Sequence, residues 1–252
     1  MFGRRSYRRR SGKWAALRAI PAISRVLFWL PRLLLMALGI DLFYVATIWP
    51  DWSRYKSGAV PQSTFIKHYI KTRKKLGQPP LRWFPVTYDE MPKYLLRAVV
   101  VAEDSRFYEH DGFDLIAFKE AMEYNLTTGR LAFGASTISQ QTVKNLFLSP
   151  RRDPLRKWHE LLLTWGMEHN LSKRRILELY LNVAEFGPGV YGVQAASQQY
   201  WDRPVSQISQ RQAIELAATL PAPKSQNPAN RGKGFERRVD KISIWMTPSV
   251  SP

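Results

Sequence analysis

Apolar residues fall into two regimes along this chain. From Leu33 to Pro50 they run almost unbroken, and beyond residue 88 they recur at helical spacing. The first regime sits near the lower limit for a bilayer span, about 17 residues. It ends in Trp49 and Trp52, aromatics suited to a membrane interface. Asp41 in its middle would cost about 2.5–3.5 kcal/mol on insertion. Pro31 and Arg32 argue against a simple extension backwards, although the Arg32 head can snorkel toward headgroups. No small-x-small cleavage site follows. The run is therefore expected to be a retained anchor, with a buried core helix as the alternative.

The second regime predicts a mainly α domain over 88–246. Tyr94, Leu95, Ala98, Val99 and Ala102 place one apolar stripe on a helix from Pro92 to Glu103. Asp114 caps a helix reaching Leu126 and closed by Thr127-Thr128-Gly129. Ser136 or Thr137 caps a third helix, with Thr137 and Gln140 matching a capping box. Helices are also expected from Leu155 to Asn170, from Lys173 to Asn182 behind Ser172, from Val190 to Trp201, and from Ser209 to Leu220. Strand-like alternation is scarce. Around this domain the chain divides into a basic, disordered tail (1–32), the anchor (33–50) and a basic connector (51–87) with turn signals at Gly77-Gln78-Pro79-Pro80 and Pro85.

Charge narrows the partners. The net charge is +18, with 38 Lys and Arg against 20 Asp and Glu. Such a balance favours nucleic acid, anionic headgroups or diphosphates. Nine basic residues lie between Arg4 and Arg32 with no acid before Asp41, which points to a cytoplasmic amino end. Eight more lie between Arg54 and Arg82, so the asymmetry is partial; they read as a solvated face or as contact with an anionic membrane surface. No nucleic-acid-binding motif is visible, and no nucleic-acid partner is expected. The chain has no cysteine, so disulfides and Cys-based zinc sites are excluded.

Three constellations carry candidate chemistry. Glu103 ends an apolar helix, where the macrodipole disfavours negative charge and Val101, Phe107 and Tyr108 can desolvate it. Both effects raise a carboxylate pKa toward the range of a general base; an exposed helix-end Glu is the plain alternative. In Gly134-Ala135-Ser136-Thr137-Ile138-Ser139-Gln140-Gln141-Thr142-Val143-Lys144-Asn145, helical spacing sets Gln140 and Lys144 on one face beside Gln141 and Asn145. Hydroxyls, amides, a helix amino end and one cation make a phosphate cradle, or simply a capped polar surface helix. Arg151, Arg152, Arg156, Lys157 and Glu160 form a third group, in which Arg156 and Glu160 also read as an i,i+4 pair worth about 0.2–0.5 kcal/mol. No Asp/Glu/His grouping shows metal-ligand spacing, and His110 with Asp114 is too little to predict a metal.

Taken in order, these segments resemble the peptidoglycan glycosyltransferases, the lysozyme-like family that polymerises lipid II. The resemblance rests on Glu103-Asp104-x-x-Phe107-x-x-His110-x-Gly112-x-Asp114, on Gly134-x-Ser136-Thr137-Ile138-x-Gln140-Gln141-x-x-Lys144-Asn145, and on Arg156-Lys157-x-x-Glu160. It continues through Lys173-x-x-Ile176-Leu177-Glu178-x-Tyr180-Leu181-Asn182 and Gly189-x-x-Gly192-x-x-Ala195-Ala196-x-x-Tyr200, from about residue 82 to 246. Asn182-Val183-Ala184-Glu185-Phe186-Gly187 is similar to the monofunctional biosynthetic subgroup, and Trp201 stands where Phe is usual.

The resemblance implies a lysozyme-like domain that joins lipid II to a growing glycan chain with inversion, releasing undecaprenyl diphosphate. It implies Glu103 as general base and Glu160 as second carboxylate. It further implies Ser136, Gln140, Gln141, Lys144 and Arg152 around the donor diphosphate, with Arg238 as a further basic residue. It implies an inner-membrane enzyme with its catalytic domain in the periplasm, contact with cell-wall synthesis or division proteins, no firm cofactor, and stimulation by divalent cations in some members. Tyr124, Leu126, Leu131 and Phe133 are candidates for a lipid-dipping patch, or ordinary core residues. Two rivals stand beside this expectation: a lytic enzyme that cleaves glycan, and a non-catalytic membrane scaffold.

Overall fold

The structure is a computed structural model that describes residues 12–129, 136–150 and 155–247. It divides into two units, 1–49 and 50–252. The first unit holds α1 (Gly12–Ile48), whose apolar stretch runs from Leu27 to Ile48 with mean hydropathy 1.6. Twenty-two residues at about 1.5 Å each come to about 33 Å, enough to cross a bilayer core of about 30 Å. The helix passes through Pro31 and Arg32 rather than stopping there. Arg32 turns back on its own helix: Nη1 donates to the Phe28 carbonyl at 2.7 Å and the guanidinium lies 3.6 Å from the Phe28 ring centre. The apolar stretch thus begins earlier than Leu33, and the helix reaches back into the segment expected as a disordered tail.

In the second unit, α2 (Thr64–Thr72) and β1 (Arg82–Trp83) precede α3 (Lys93–Glu103), α4 (Leu115–Thr128), α5 (Ile138–Phe147), α6 (Arg156–Asn170) and α7 (Lys173–Val183). Then come β2 (Glu185–Gly187), β3 (Val190–Tyr191), α8 (Val193–Trp201), α9 (Gln210–Thr219) and α10 (Lys233–Met246). The expected caps form. Asp114 accepts from the Ala117 N–H, Thr137 and Gln140 complete their capping box, and Ser172 and Ser209 cap α7 and α9.

The core has two halves. Leu95, Leu96, Ala98, Val99 and Val100 of α3 are buried, and α3 packs on α9 and α10. In the other half, α5 packs between α6 and α7. Helix α7 is buried over most of its surface, from Arg175 to Leu177 and from Leu179 to Val183, which places it at the centre.

The 51–87 segment is not a free connector. Ile66 and Tyr69, one helical turn apart on α2, pack with Tyr191, while Trp52 meets Phe147 at 5.6 Å between ring centres. Two polar residues of α7 fasten the segment. Arg175 donates to the Tyr55 and Gly58 carbonyls, and Asn182 exchanges two hydrogen bonds with the Val86 backbone.

Val190 and Tyr191 are strand rather than helix, because they pair with β1 in parallel and with β2 in antiparallel fashion. Gly189 makes the turn possible. Its φ is +77°, and a Cβ there would lie 2.6 Å from the Tyr69 hydroxyl.

Candidate active site

Glu103 is the last residue of α3, and its side chain is only 9% exposed. Gln141 of α5 donates from Nε2 to Oε2 at 2.9 Å, and Arg238 of α10 reaches Oε1 at 3.4 Å. Burial raises the carboxyl above its ordinary pKa, and the Gln141 amide, Arg238 and Lys144 offset this only in part. Glu103 therefore keeps affinity for a proton while its neighbours still favour the anion. That combination suits a base that must take a proton from a sugar hydroxyl.

Lys144 lies one turn beyond Gln141 on α5 and is largely buried. Burial lowers its pKa, Glu160 opposes that shift, Arg156 and Lys157 add to it, and Glu103 opposes it. One ammonium thus senses both candidate carboxylates. Glu160 is 6% exposed and accepts from Lys157 Nζ at 2.5 Å, so the ion pair runs from Lys157 rather than from Arg156.

The expected donors separate in the structure. Gln141 faces Glu103. Gln140 spends its Oε1 on the Thr137 N–H at 3.0 Å, completing the cap. Ser136 and Gln140 instead line a cavity of about 860 Å³ with Lys157 and the apolar side chains of Phe113, Leu115, Phe118, Met122, Leu161 and Trp165. Arg152, Leu131 and Phe133 lie outside the described residues. Tyr124 and Leu126 are exposed, not core, and share α4 with exposed Leu115, Ile116, Phe118 and Met122.

The loop after Glu103 is held by a brace that the sequence did not disclose. Asp104 accepts from the Ile138 N–H at 3.0 Å and from His110 Nε2 at 3.0 Å. The Gly112 N–H donates to His110 Nδ1 at 3.1 Å, which assigns the ring proton to Nε2 in the neutral tautomer. Lys173 donates to the His110 carbonyl and to Glu168, which also accepts from Ser139. Gly112 has a φ of +91°, and a Cβ would fall 2.7 Å from Thr164 Cγ2, so only glycine fits where α6 crosses this loop.

Asp104, His110 and Asp114 place ligand-type atoms within 4.8 Å of one another, contrary to the expectation that no such grouping exists. The acceptors are already engaged. Arg106 binds both Asp114 oxygens at 3.0 and 2.6 Å, the Ala117 N–H binds one of them, and Nε2 of His110 is a donor toward Asp104. The trio fits a hydrogen-bonded brace, not a cation site.

Two contacts span large sequence separations and carried no local signal. Arg238 meets Glu103 across 135 positions, and the Tyr180 hydroxyl donates to Gln141 Oε1 at 3.1 Å.

Comparison with known proteins identifies the family. The family model described as Transglycosylase matches residues 73–247. A biosynthetic peptidoglycan transglycosylase of Nitrosospira multiformis is 40% identical over 227 residues, covering 88% of this chain and 97% of the relative. Proteins of the same description from Ralstonia nicotianae and Thiobacillus denitrificans are 50% and 44% identical, each over 68% of this chain and over 74% and 73% of their own lengths. The matched span contains Glu103, Gln141, Lys144, Glu160 and Arg238, and the chain belongs to the transglycosylase family.

Proposed function

We propose that this protein is a peptidoglycan glycosyltransferase of cell-wall synthesis that polymerises lipid II into β-1,4 glycan strands. The observation that carries the reading is the buried Glu103 carboxylate between Gln141 and Arg238, with the Lys144 ammonium under the influence of both Glu103 and Glu160. Glu103 takes the proton from the 4-hydroxyl of the incoming GlcNAc. That oxygen forms a bond to C1 of the MurNAc at the end of the growing chain, from the face opposite the leaving group. The C1–O bond to undecaprenyl diphosphate breaks, and the diphosphate departs with the electron pair. The Lys144 ammonium and Arg152 hold the charge that develops on it. Glu160 keeps the neighbouring cations ordered through Lys157. Ser136 and Gln140 border the donor from the cavity they share with Lys157, Gln141 supports the Glu103 carboxylate, and Arg238 steadies its anion.

Both substrates carry polyprenyl tails, which gives the anchor its purpose. Leu27–Ile48 holds the enzyme in the inner membrane, with a cytoplasmic amino end and a periplasmic catalytic unit. The exposed apolar face of α4 meets the lipid surface. Recruitment by cell-wall synthesis or division proteins belongs to the same reading.

A lytic enzyme would need the carboxylate but not the cations around Glu160 and Lys144. The two activities separate in one assay: purified protein is given lipid II, and in parallel intact sacculi. Polymer from lipid II with sacculi untouched supports synthesis, whereas soluble fragments from sacculi without polymer would overturn it.

A further inference from the structure

A glutamine amide has a donor end and an acceptor end, and a half-turn exchanges them. At Gln141 this choice has chemical consequences. With Nε2 toward Glu103 the amide supports the carboxylate; with Oε1 there, two acceptors would face each other. The Glu103 anion favours the first orientation, but once protonated Glu103 can donate to an amide oxygen and no longer enforces it. Tyr180, 1% exposed in the centre of α7, holds that orientation in both states of the carboxyl, because its hydroxyl donates to Gln141 Oε1 at 3.1 Å. Burial pushes the Tyr180 phenol well above its usual pKa, with Glu103 and Asp104 adding to the rise and Arg238 opposing it. The O–H therefore remains a donor throughout the working pH range.

We propose that Tyr180 is a positioning residue for glycosyl transfer: by holding the Gln141 amide it fixes the donor that occupies Glu103 Oε2 and leaves Oε1 to receive the substrate proton. The inference rests on Glu103 being the general base. Oε1 is the more available oxygen, because Arg238 approaches it at only 3.4 Å whereas Gln141 binds Oε2 at 2.9 Å. The groups that face Glu103 are Gln141 and Lys144 from α5, Arg238 from α10 and, through Gln141, Tyr180 from α7. Releasing the amide removes a donor that favours the anion, so Glu103 should bind its proton more tightly.

The test uses the full chain in detergent, as wild type, Tyr180→Phe, Gln141→Ala and the double variant, with Tyr180→Leu as a second replacement should Phe not fold. Lipid II polymerisation is followed across pH. Glu103 titration is followed separately, as an infrared carboxyl difference between each protein and its Glu103→Gln counterpart. Removing the hydroxyl should lower kcat roughly three- to tenfold, the scale of one orienting hydrogen bond, with KM little changed. It should move both the acid limb and the Glu103 titration to higher pH. In the Gln141→Ala background the Tyr180 substitution should add nothing. An unmoved titration, or an effect that simply adds to that of Gln141→Ala, would overturn the proposal. Were wild type inactive on lipid II, the reading of function would fall while the infrared titration still decided the role of Tyr180.

Discussion

Lys173→Met tests how far the brace behind the loop that follows Glu103 stabilises the fold. Lys173 Nζ donates to Glu168 at 2.8 Å and to the His110 carbonyl, and it lies 4.6 Å from the centre of the Phe107 ring. Glu168 is 4% exposed and Lys173 21%. Removing one partner of a buried pair costs about 3–5 kcal/mol, because the other charge stays buried alone. Partial exposure of Lys173 places this pair at the lower end, about 3 kcal/mol. For a unit of this size about 1 kcal/mol shifts Tm by 2–4 °C, so the variant should melt about 6–12 °C lower. A second substitution fixes the cause. Glu168→Gln removes the stranded charge and keeps an acceptor for Ser139 Oγ, so Lys173→Met/Glu168→Gln should regain at least half of the loss. Circular-dichroism melts of the detergent-solubilised full chain measure both. A loss below about 1 kcal/mol, or a double variant less stable than the single one, would show that the pair does not hold the loop.

Glu103 should cost the fold stability when ionised. Its pKa is raised in the folded state, so its stabilising contribution is complete below the unfolded value of 4.5 and is lost as pH rises through the folded value. Glu103→Gln should therefore melt above wild type near pH 7.5, with the gap closing below about pH 4.5; melts across pH would contradict this if the gap were constant or reversed. Lys144, lowered by burial with Arg156 and Lys157 adding to the shift, should bring the alkaline limb of polymerisation below the ordinary lysine value of 10.5. Lys144→Met should lower kcat roughly 10²–10³-fold in a folded protein, and steady-state kinetics with lipid II would show otherwise if the loss were under fivefold. Ile116 and Leu126, which do not line the cavity, are 54% and 76% exposed on α4. Replacing both by Glu should reduce polymerisation in liposomes at least about tenfold, since burying one such side chain is worth about 1.5–3 kcal/mol, while activity in detergent changes little; equal effects in both media would argue against membrane contact.

Local features were the legible ones. Asp114, Thr137, Ser172 and Ser209 announce their helices because a cap needs only a few consecutive residues. Glu103 stands out as a candidate by its place at the end of an apolar helix, and its side chain is buried rather than exposed. What escaped depends on tertiary neighbours. Val190 and Tyr191 continue an apolar pattern that reads as helix, and only pairing with β1 and β2 makes them strand. The basic run 51–87 reads as a solvated face or a membrane-surface contact because Lys and Arg are frequent in it, yet Ile66, Tyr69 and Trp52 suffice to seat it on the domain. Gln140 and Gln141 are indistinguishable by composition. The helical turn sends one to its own cap and the other to the carboxylate.

The proposed role of Glu103 is to take the proton during glycan polymerisation. Its most direct test is lipid II turnover by full-length wild type and Glu103→Gln, resolved on gels that separate glycan strands, with undecaprenyl diphosphate release measured in parallel. Polymer and released diphosphate are expected from wild type, and a loss of at least about 10²-fold from the variant, the lower range for a positioned proton acceptor. Comparable polymer from both proteins would contradict the role of Glu103. No polymer from folded, membrane-embedded wild type would contradict the function itself.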